Sequence, residues 1–184
     1  RAKALVQQIL TFSRRSDQKK QVTNVTILVK ETLDLLRASL PANIVIQSDL
    51  GCKKSNILAD PNQIHQVIMN LGTNAYHAMA DEGGILCVRC ESICMDGSDS
   101  DGCPDLKKGK YVRVSISDTG YGISAENIKR IFDPYFTTKK KGKGTGLGLA
   151  LVHGIIKEHQ GSISVKSQVG EGTSFEILLP RLEG

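Results

Sequence analysis

The sequence predicts an α/β fold: a two-layer α/β sandwich with a mixed sheet and three main helices, preceded by an N-terminal helix. Helical and strand patterns are interleaved, and the last two strands form a hairpin, so they run antiparallel. The order also lacks the regular strand–helix alternation that builds a doubly wound parallel sheet. The chain has 184 residues, 40% of them hydrophobic, which suffices for one domain with a core and a small appendage.

At the N-terminus Ala2, Leu5, Ile9 and Phe12 repeat at helical spacing until the polar run Ser13 to Gln21 ends the pattern. A lone helix of about fifteen residues is marginal in water. Its apolar stripe is expected against a partner helix outside this chain, or alternatively against the domain that follows. Residues 1–20 are therefore read as a helix end plus linker, and 21–184 as the domain.

Val25 to Leu40 reads as an amphipathic helix, apolar at Leu28, Leu33, Leu35, Leu36 and Leu40 and closed by Pro41. A short strand, Ile44-Val45-Ile46, follows. Asp60-Pro61 supplies an N-cap and a first-turn proline for a long helix to about Ala80, which Gly83-Gly84 terminates. Strands are expected over about 85–93 and 111–118, separated by a Gly/Ser/Asp-rich loop expected to be mobile. A short helix is expected over 125–132, a third long helix over 147–159, and a hairpin over 162–167 and 174–179, turned by Val169-Gly170-Glu171-Gly172. No internal repeat is evident.

The net charge of +5, from 24 Lys+Arg and 19 Asp+Glu, suits a nucleic acid, an acidic surface or a phosphate ligand, so placement must decide. Aromatics are 4% of the chain and do not interleave with the basic run, which argues against a nucleic-acid partner. No window approaches the roughly 18 apolar residues of a membrane span, and the N-terminus has no signal-peptide core. The chain is thus expected to be soluble and cytoplasmic, without direct membrane contact. Its start at Arg1 suggests a piece of a longer protein, for which a membrane anchor elsewhere is left open.

Five cysteines are present. Cys87 and Cys90 have knuckle-like spacing, but residues three apart on a strand face opposite sides, so they are not expected to share a metal. Buried, reduced cysteines are the expectation.

Along the Pro61–Ala80 pattern, Ile64, Val67, Ile68, Leu71, Ala75, Ala78 and Met79 fall on one arc, the core face. Gln63, Gln66, Asn70, Asn74 and His77 fall on a neighbouring stripe. Neutral amides are unusual where a solvated helix carries Lys and Glu, and they read either as a ligand wall or as partners for neighbouring loops. An asparagine offers a hard carbonyl oxygen to Mg²⁺ and an NH₂ to phosphate without adding negative charge.

In the strand ending at Asp118, Val112, Val114, Ile116 and Asp118 share one parity, so a carboxylate points toward the buried side. Unpaired there it is expensive. It either begins the Thr119-Gly120 turn or accepts from a ligand such as the exocyclic amine of adenine, where guanine presents an oxygen. The Asp-Thr-Gly triplet also occurs in aspartic proteases, but those need two aspartates sharing a proton, and no second triplet is present. Lys139 to Leu149 places lysines and alternating glycines directly before a helix. That arrangement suits phosphate, or alternatively a solvated linker; it is neither a Walker A loop nor a dinucleotide fingerprint.

Taken in order, four segments resemble the boxes of the histidine-kinase catalytic domain, a member of the GHKL ATPase/kinase superfamily. They are Asn70-Leu71-Gly72-Thr73-Asn74-Ala75-Tyr76-His77-Ala78, Asp118-Thr119-Gly120-Tyr121-Gly122-Ile123, Ile131-Phe132-Asp133-Pro134-Tyr135-Phe136-Thr137-Thr138-Lys139 and Gly144-Thr145-Gly146-Leu147-Gly148-Leu149. The third string is most similar to that of nitrogen-regulation-type and hybrid sensor kinases.

The resemblance spans about 25–180 and implies a Bergerat-type sandwich holding ATP and Mg²⁺ between the long helix and a short lid over 137–146. It implies that Asn74 binds Mg²⁺, with Asn70 assisting and His77 near phosphate. Asp118 would read adenine, Gly120, Gly122 and Ile123 would form its close-packed turn, and Thr173 would support that pocket. Phe136, Lys139, Gly144, Thr145, Gly146, Leu147 and Gly148 would line the lid side, with Lys139 contacting phosphate. Asn70, Asn74 and Lys139 are the catalytic candidates.

None of His65, His77, His153 and His159 lies in the family's phosphoacceptor motif, so the histidine to be phosphorylated is expected elsewhere. Residues 1–20 would then be the end of a dimerisation helix plus linker. The implied partners are the dimerisation and phosphoacceptor domain of the same kinase, in a homodimer, and the receiver domain of a response regulator. Two other readings remain open: a GHKL ATPase, whose relatives carry glutamate where this chain has Asn70, and a non-catalytic nucleotide sensor.

Overall fold

A computed structural model describes residues 20–52, 54–95, 106, 108–139 and 144–182. The N-terminal helix expected over 2–12, the mobile loop expected around 96–107, Cys103 and Lys140 to Lys143 fall outside the described residues.

The first strand, β1 (Gln21–Asn24), runs straight into helix α1 (Val25–Ser39). Asn24 makes that junction, because its side-chain oxygen accepts the backbone N–H of Ile27 and caps the helix. Strand β2 (Ile44–Asp49) and strand β3 (Asn56–Ala59) follow, then the long helix α2 (Pro61–Met79). Asp60 caps α2 by accepting from the Asn62 N–H, and Pro61 enters where no intrahelical donor is required. The remainder is β4 (Gly84–Met95), β5 (Gly109–Asp118), the single turn α3 (Ala125–Ile128), α4 (Gly148–Glu158), β6 (Ser162–Gln168) and β7 (Gly172–Pro180).

Five strands form the main sheet in the order β2-β4-β5-β7-β6, and β1 and β3 form a separate antiparallel pair. Within the main sheet β2 and β4 are parallel, and the other neighbours are antiparallel. The expected mixed sheet with three long helices is present. One face of it, carrying Leu86, Val88, Val112, Val114, Ile116, Phe175, Ile177 and Leu179, is buried with Val29 and Leu36 of α1, Val67, Ile68 and Leu71 of α2, and Val152 and Ile156 of α4. Alternation along each strand puts these residues on the helix side, and burial of each is worth about 1.5–3 kcal/mol.

Some expectations need correction. β1 and β3 were not anticipated; β1 begins at Gln21, the last residue of the polar run and the first of the domain. The helix expected over 125–132 is one turn long, since only 125–128 are helical. Leu35 is 56% exposed although it was grouped with the apolar positions of α1. Of the cysteines, only Cys90 is buried among the described residues; Cys52 and Cys87 are half-buried and Cys94 is exposed. Cys94 lies near the far end of β4, paired with Lys110 of β5.

Candidate functional site

α2 presents its polar stripe along the edge of the core. Gln66, Asn70 and Asn74 are half-buried and His77 is exposed. Gln63 departs from the ligand-wall reading: it is buried, and its Nε2 donates to Glu158 Oε2 at 3.2 Å, tying the start of α2 to the end of α4. Asn70 lies against the first turn of α4, where a Cβ built on Gly148 would stand 3.4 Å from Asn70 Oδ1. One helical turn further on, Asn74 Oδ1 accepts from the Lys139 ammonium at 3.3 Å. The second turn-neighbour, His77, donates Nδ1–H to the Thr73 carbonyl at 2.7 Å.

Lys139 lies close enough for its charge to act on His77. Burial lowers the Lys139 pKa, and among the described residues no carboxylate is paired with it. The His77 pKa is lowered by burial first and by the Lys139 charge second, against a smaller opposing effect of the Thr73 hydrogen bond. A half-buried ammonium beside neutral amides is a set of groups that an anion would complete.

The chain reaches Lys139 through a bent segment. Tyr135 has φ of 66°, and its N–H donates to the Gly146 carbonyl at 2.9 Å. Gly146 has φ of 67°, and a Cβ there would overlap the Tyr135 backbone, so this closure demands glycine. Phe136 anchors the segment against the core, with the Arg130 guanidinium 4.6 Å from its ring centre. Thr137 Oγ1 accepts the Lys139 N–H at 3.2 Å, and a Cβ on Gly144 would press on that same oxygen at 2.7 Å. Thr145 Oγ1 accepts from the Leu147 N–H at 3.4 Å. α4 then begins with no side-chain cap and no acidic residue in its first turn, leaving N–H groups and a positive dipole end beside Asn70.

The other half of the site starts at the end of β5. Asp118 is half-buried and pairs in register with Thr173 of β7. Its Oδ1 accepts the Gly120 N–H at 2.9 Å. Burial raises the Asp118 pKa, while hydrogen bonds from the Gly120 and Thr173 backbones oppose the rise. Gly120 is packed on α2, where a Cβ would stand 2.5 Å from that of Ala78. Gly122 has φ of 72°, and a Cβ there would overlap the Gln168 carbonyl.

Ser167 joins the pieces of this half and was not anticipated. Its Oγ accepts the Ile123 N–H at 2.8 Å and donates to the Gly172 carbonyl at 2.8 Å. The buried Thr173 hydroxyl lies 2.9 Å away, and with the serine proton already committed, Thr173 is the donor of that pair. A serine in a hairpin carries no signal of such a role.

The residues singled out in the sequence thus converge in two groups. Asn70, Asn74, Lys139 and Gly148 meet along α2, with Gly144 packed on Lys139, while His77 in the last turn of α2 stands beside the group formed by Asp118, Gly120, Gly122, Ile123 and Thr173. Ala78, adjacent to His77, is where the two meet.

Residues 59–183 match the family model of histidine kinase-, DNA gyrase B- and HSP90-like ATPases. The chain belongs to this family. As a member of it, the protein is 42% identical over 182 residues to the sensor kinase CckA of Brucella abortus, covering 99% of this chain and 19% of that kinase. It is 38% identical over 177 residues to the histidine-protein kinase AtoS of Escherichia coli, covering 96% of this chain and 26% of AtoS. It spans a minor part of the length of these relatives.

Among solved structures, the catalytic domain of the histidine kinase ThkA superposes with a TM-score of 0.69 at 28% identity, covering 88% of this chain and 95% of that domain. Full-length ShkA, solved in complex with AMPPNP, shares the fold with a TM-score of 0.76 at 24% identity, covering 98% of this chain and 36% of ShkA. The protein is therefore an ATP-binding catalytic domain of the histidine-kinase type, and the α/β sandwich is the family's fold. Among the described residues, no helix is long and apolar enough to cross a membrane.

Proposed function

We propose that this domain holds Mg-ATP along α2 and presents the γ-phosphoryl group to a histidine borne by another part of the parent protein. The observation that carries the reading is the two-ended arrangement on one helix. A carboxylate sits at one end of the site, and amides, a lysine and an uncapped helix start sit at the other. In this reading Asp118 accepts from the adenine amine, Gly120, Gly122 and Ile123 shape the turn beneath the base, and Thr173 supports it. His77, Lys139 and the backbone of 144–148 face the phosphates, and Phe136 anchors the segment that closes over them.

The donor set fits a hard divalent cation. Asn74 Oδ1 already accepts from an ammonium, so a positive charge is accommodated at that oxygen. No group of three or more His, Cys, Asp or Glu that could hold a metal occurs among the described residues, so the cation would share Asn74, with Asn70 nearby, and the phosphate oxygens. Bound there, Mg²⁺ would neutralise charge on the β- and γ-phosphates. The protein's own contribution is positioning: the rigid turn fixes the base, the α2 amides fix the phosphate end, and Lys139 offsets negative charge.

Asn70 favours the kinase reading over an ATPase. An amide cannot act as a general base for water, and such help is worth about 10²–10⁴-fold. The partners follow from the same reading: a dimerisation and phosphoacceptor domain of the same protein, reached through residues 1–20, a second copy of the chain, and a response-regulator receiver domain. The setting proposed is cytoplasmic.

The test is calorimetric titration with Mg-ATP and Mg-GTP, and with ADP with and without Mg²⁺ for the parent and Asn74→Ala. Preference for ATP and Mg²⁺-linked affinity lost in Asn74→Ala are expected. Equal ATP and GTP affinities would remove Asp118 from the base, and an Mg²⁺-insensitive parent would remove Asn74 from the metal.

A further inference from the structure

A cavity of about 610 Å³ lies away from the proposed nucleotide site. It opens beside the end of β2 and the middle of β4, lined by Asp49, Cys52, Lys54, Arg89, Glu91 and Arg181 together with Cys90. Parallel pairing of Asp49 with Arg89 brings the two cysteine-bearing stretches alongside each other. The Thr26 hydroxyl of α1 joins them: it donates to the Cys52 carbonyl at 3.1 Å and lies 3.5 Å from Cys90 Sγ. The Cys52 thiol donates to the Lys54 carbonyl at 3.5 Å and lies near enough to Cys90 to add to the rise of its pKa. Cys52 is half-exposed and Cys90 buried, so one thiol of the pair meets solvent and the other waits behind it.

The cavity rim carries Lys54, Arg89 and Arg181 against Asp49 and Glu91, and Glu91 is committed to Arg113 at 2.9 Å. Arg181 Nε is buried and without a hydrogen-bond partner among the described residues. This excess of cationic donors suits a small molecule bearing carboxylates.

We propose that Cys52 and Cys90 are a redox-active dithiol that closes to an intramolecular disulfide on reaction with a small anionic disulfide of the glutathione class. The Cys52 thiolate attacks one sulfur of the oxidant and releases the first thiolate, forming a mixed disulfide. The Cys90 thiolate then attacks the Cys52 sulfur and releases the second. The protein loses two protons and two electrons, and the oxidant takes them up as two thiols. Burial pushes the Cys90 thiol up to about 11, which slows its attack; holding it beside the mixed disulfide makes that attack intramolecular and offsets the loss. Transient disulfides of this kind serve sensing rather than structure in reducing compartments. The bond would staple the β2–β3 connection to β4.

The full chain with Cys87→Ser, Cys94→Ser and Cys103→Ser retains only these two thiols. Incubated folded with oxidised glutathione, it is expected to lose both free thiols and two hydrogens of intact mass, with peptide mapping joining Cys52 to Cys90. The bridge should form at least tenfold faster than in denaturant. Adding Cys90→Ser should trap glutathione on Cys52, and adding Cys52→Ser instead should leave Cys90 unreacted. Glutathione retained on Cys52 with Cys90 free, bridging no faster than in the unfolded chain, or two unreacted thiols would each overturn the proposal.

Discussion

The turn after β5 and the described residues between Tyr135 and Gly148 stand at opposite ends of the proposed nucleotide site, yet they are held by different means. The turn is fastened by hydrogen bonds to separate elements. Thr119 N–H donates to the Ile85 carbonyl of β4, Tyr121 N–H to the Ala78 carbonyl at 3.2 Å, and Gly170 N–H to the Tyr121 carbonyl at 2.9 Å; Ser167 takes the Ile123 N–H. Among its described residues, the lid-side segment is instead held by the backbone bond between Tyr135 and Gly146, two left-handed residues, by the packing of Phe136 on the core and by the reach of Lys139 to Asn74. A base-binding end can be rigid because the base is planar and always the same. A phosphate-binding end that must admit and release charge gains from being tied by few, exchangeable contacts.

If that contrast is right, the largest stability loss comes from disturbing the turn. Gly122→Ala puts a methyl onto the Gln168 carbonyl in a left-handed conformation, and strain and overlap together should cost about 2–4 kcal/mol. Denaturant unfolding measures it; a loss below about 1 kcal/mol would mean that the turn gives way easily and the contrast is wrong.

Asp118→Asn comes next. Within the proposed function it removes a charged acceptor from the base, worth about 1.5–3 kcal/mol, roughly 10–100-fold in affinity. The fold should be retained, as checked by unfolding and ATP titration of the same sample. Unchanged ATP affinity would return Asp118 to a purely structural part in the turn.

The raised pKa of Asp118, caused first by burial, gives a pH signature with two opposite trends. In the free domain the folded state holds the proton more readily than the unfolded chain, whose value is about 3.9. The stability from this group is therefore full below the unfolded value and is lost as pH rises through the folded one. Nucleotide affinity runs the other way, because a protonated carboxyl is a poorer acceptor and binding weakens as pH falls through that same folded value. Thermal unfolding and ATP titration across the weakly acid range should show both trends in the parent and neither in Asp118→Asn.

The two ends also differed in how far they could be read from sequence. α2, β5 and α4 were legible because their apolar periodicity is long, and Asp118 because its parity matched Val112, Val114 and Ile116. β1 and β3 were not: each has four residues, and although Ile57 and Ala59 of β3 are buried, Val22 and Leu58, opposite each other in register, are 67% and 51% exposed, so apolar residues on both faces blur the short alternation. Gln63 was placed with the ligand-facing amides because it shares their angle on the helix wheel. Its true partner, Glu158, is 95 residues away, beyond any local pattern. Lys139 was chosen by resemblance, and its contact with Asn74 depends on how the chain bends at Tyr135, which no periodicity encodes.

Tyr135 gives the smallest effect and the closest counterpart to Gly122. It is a bulky residue in the left-handed region, where such residues are outliers, and its side chain is 76% exposed, so little packing would be lost on truncation. Replacing it with glycine relieves about 1–2 kcal/mol of local conformational cost and adds roughly 0.5–1 kcal/mol of unfolded-chain entropy that folding must overcome. The balance is a gain of up to about 1.5 kcal/mol, opposite in sign to Gly122→Ala though both change a residue at positive φ. Strain kept at an exposed aromatic, where glycine would be easier, is the pattern expected of a segment selected for what it touches rather than for stability. Equilibrium unfolding of Tyr135→Gly decides the matter. A loss of more than about 1 kcal/mol would show that the ring contributes to the folded domain after all, and that the lid-side segment is built as firmly as the turn.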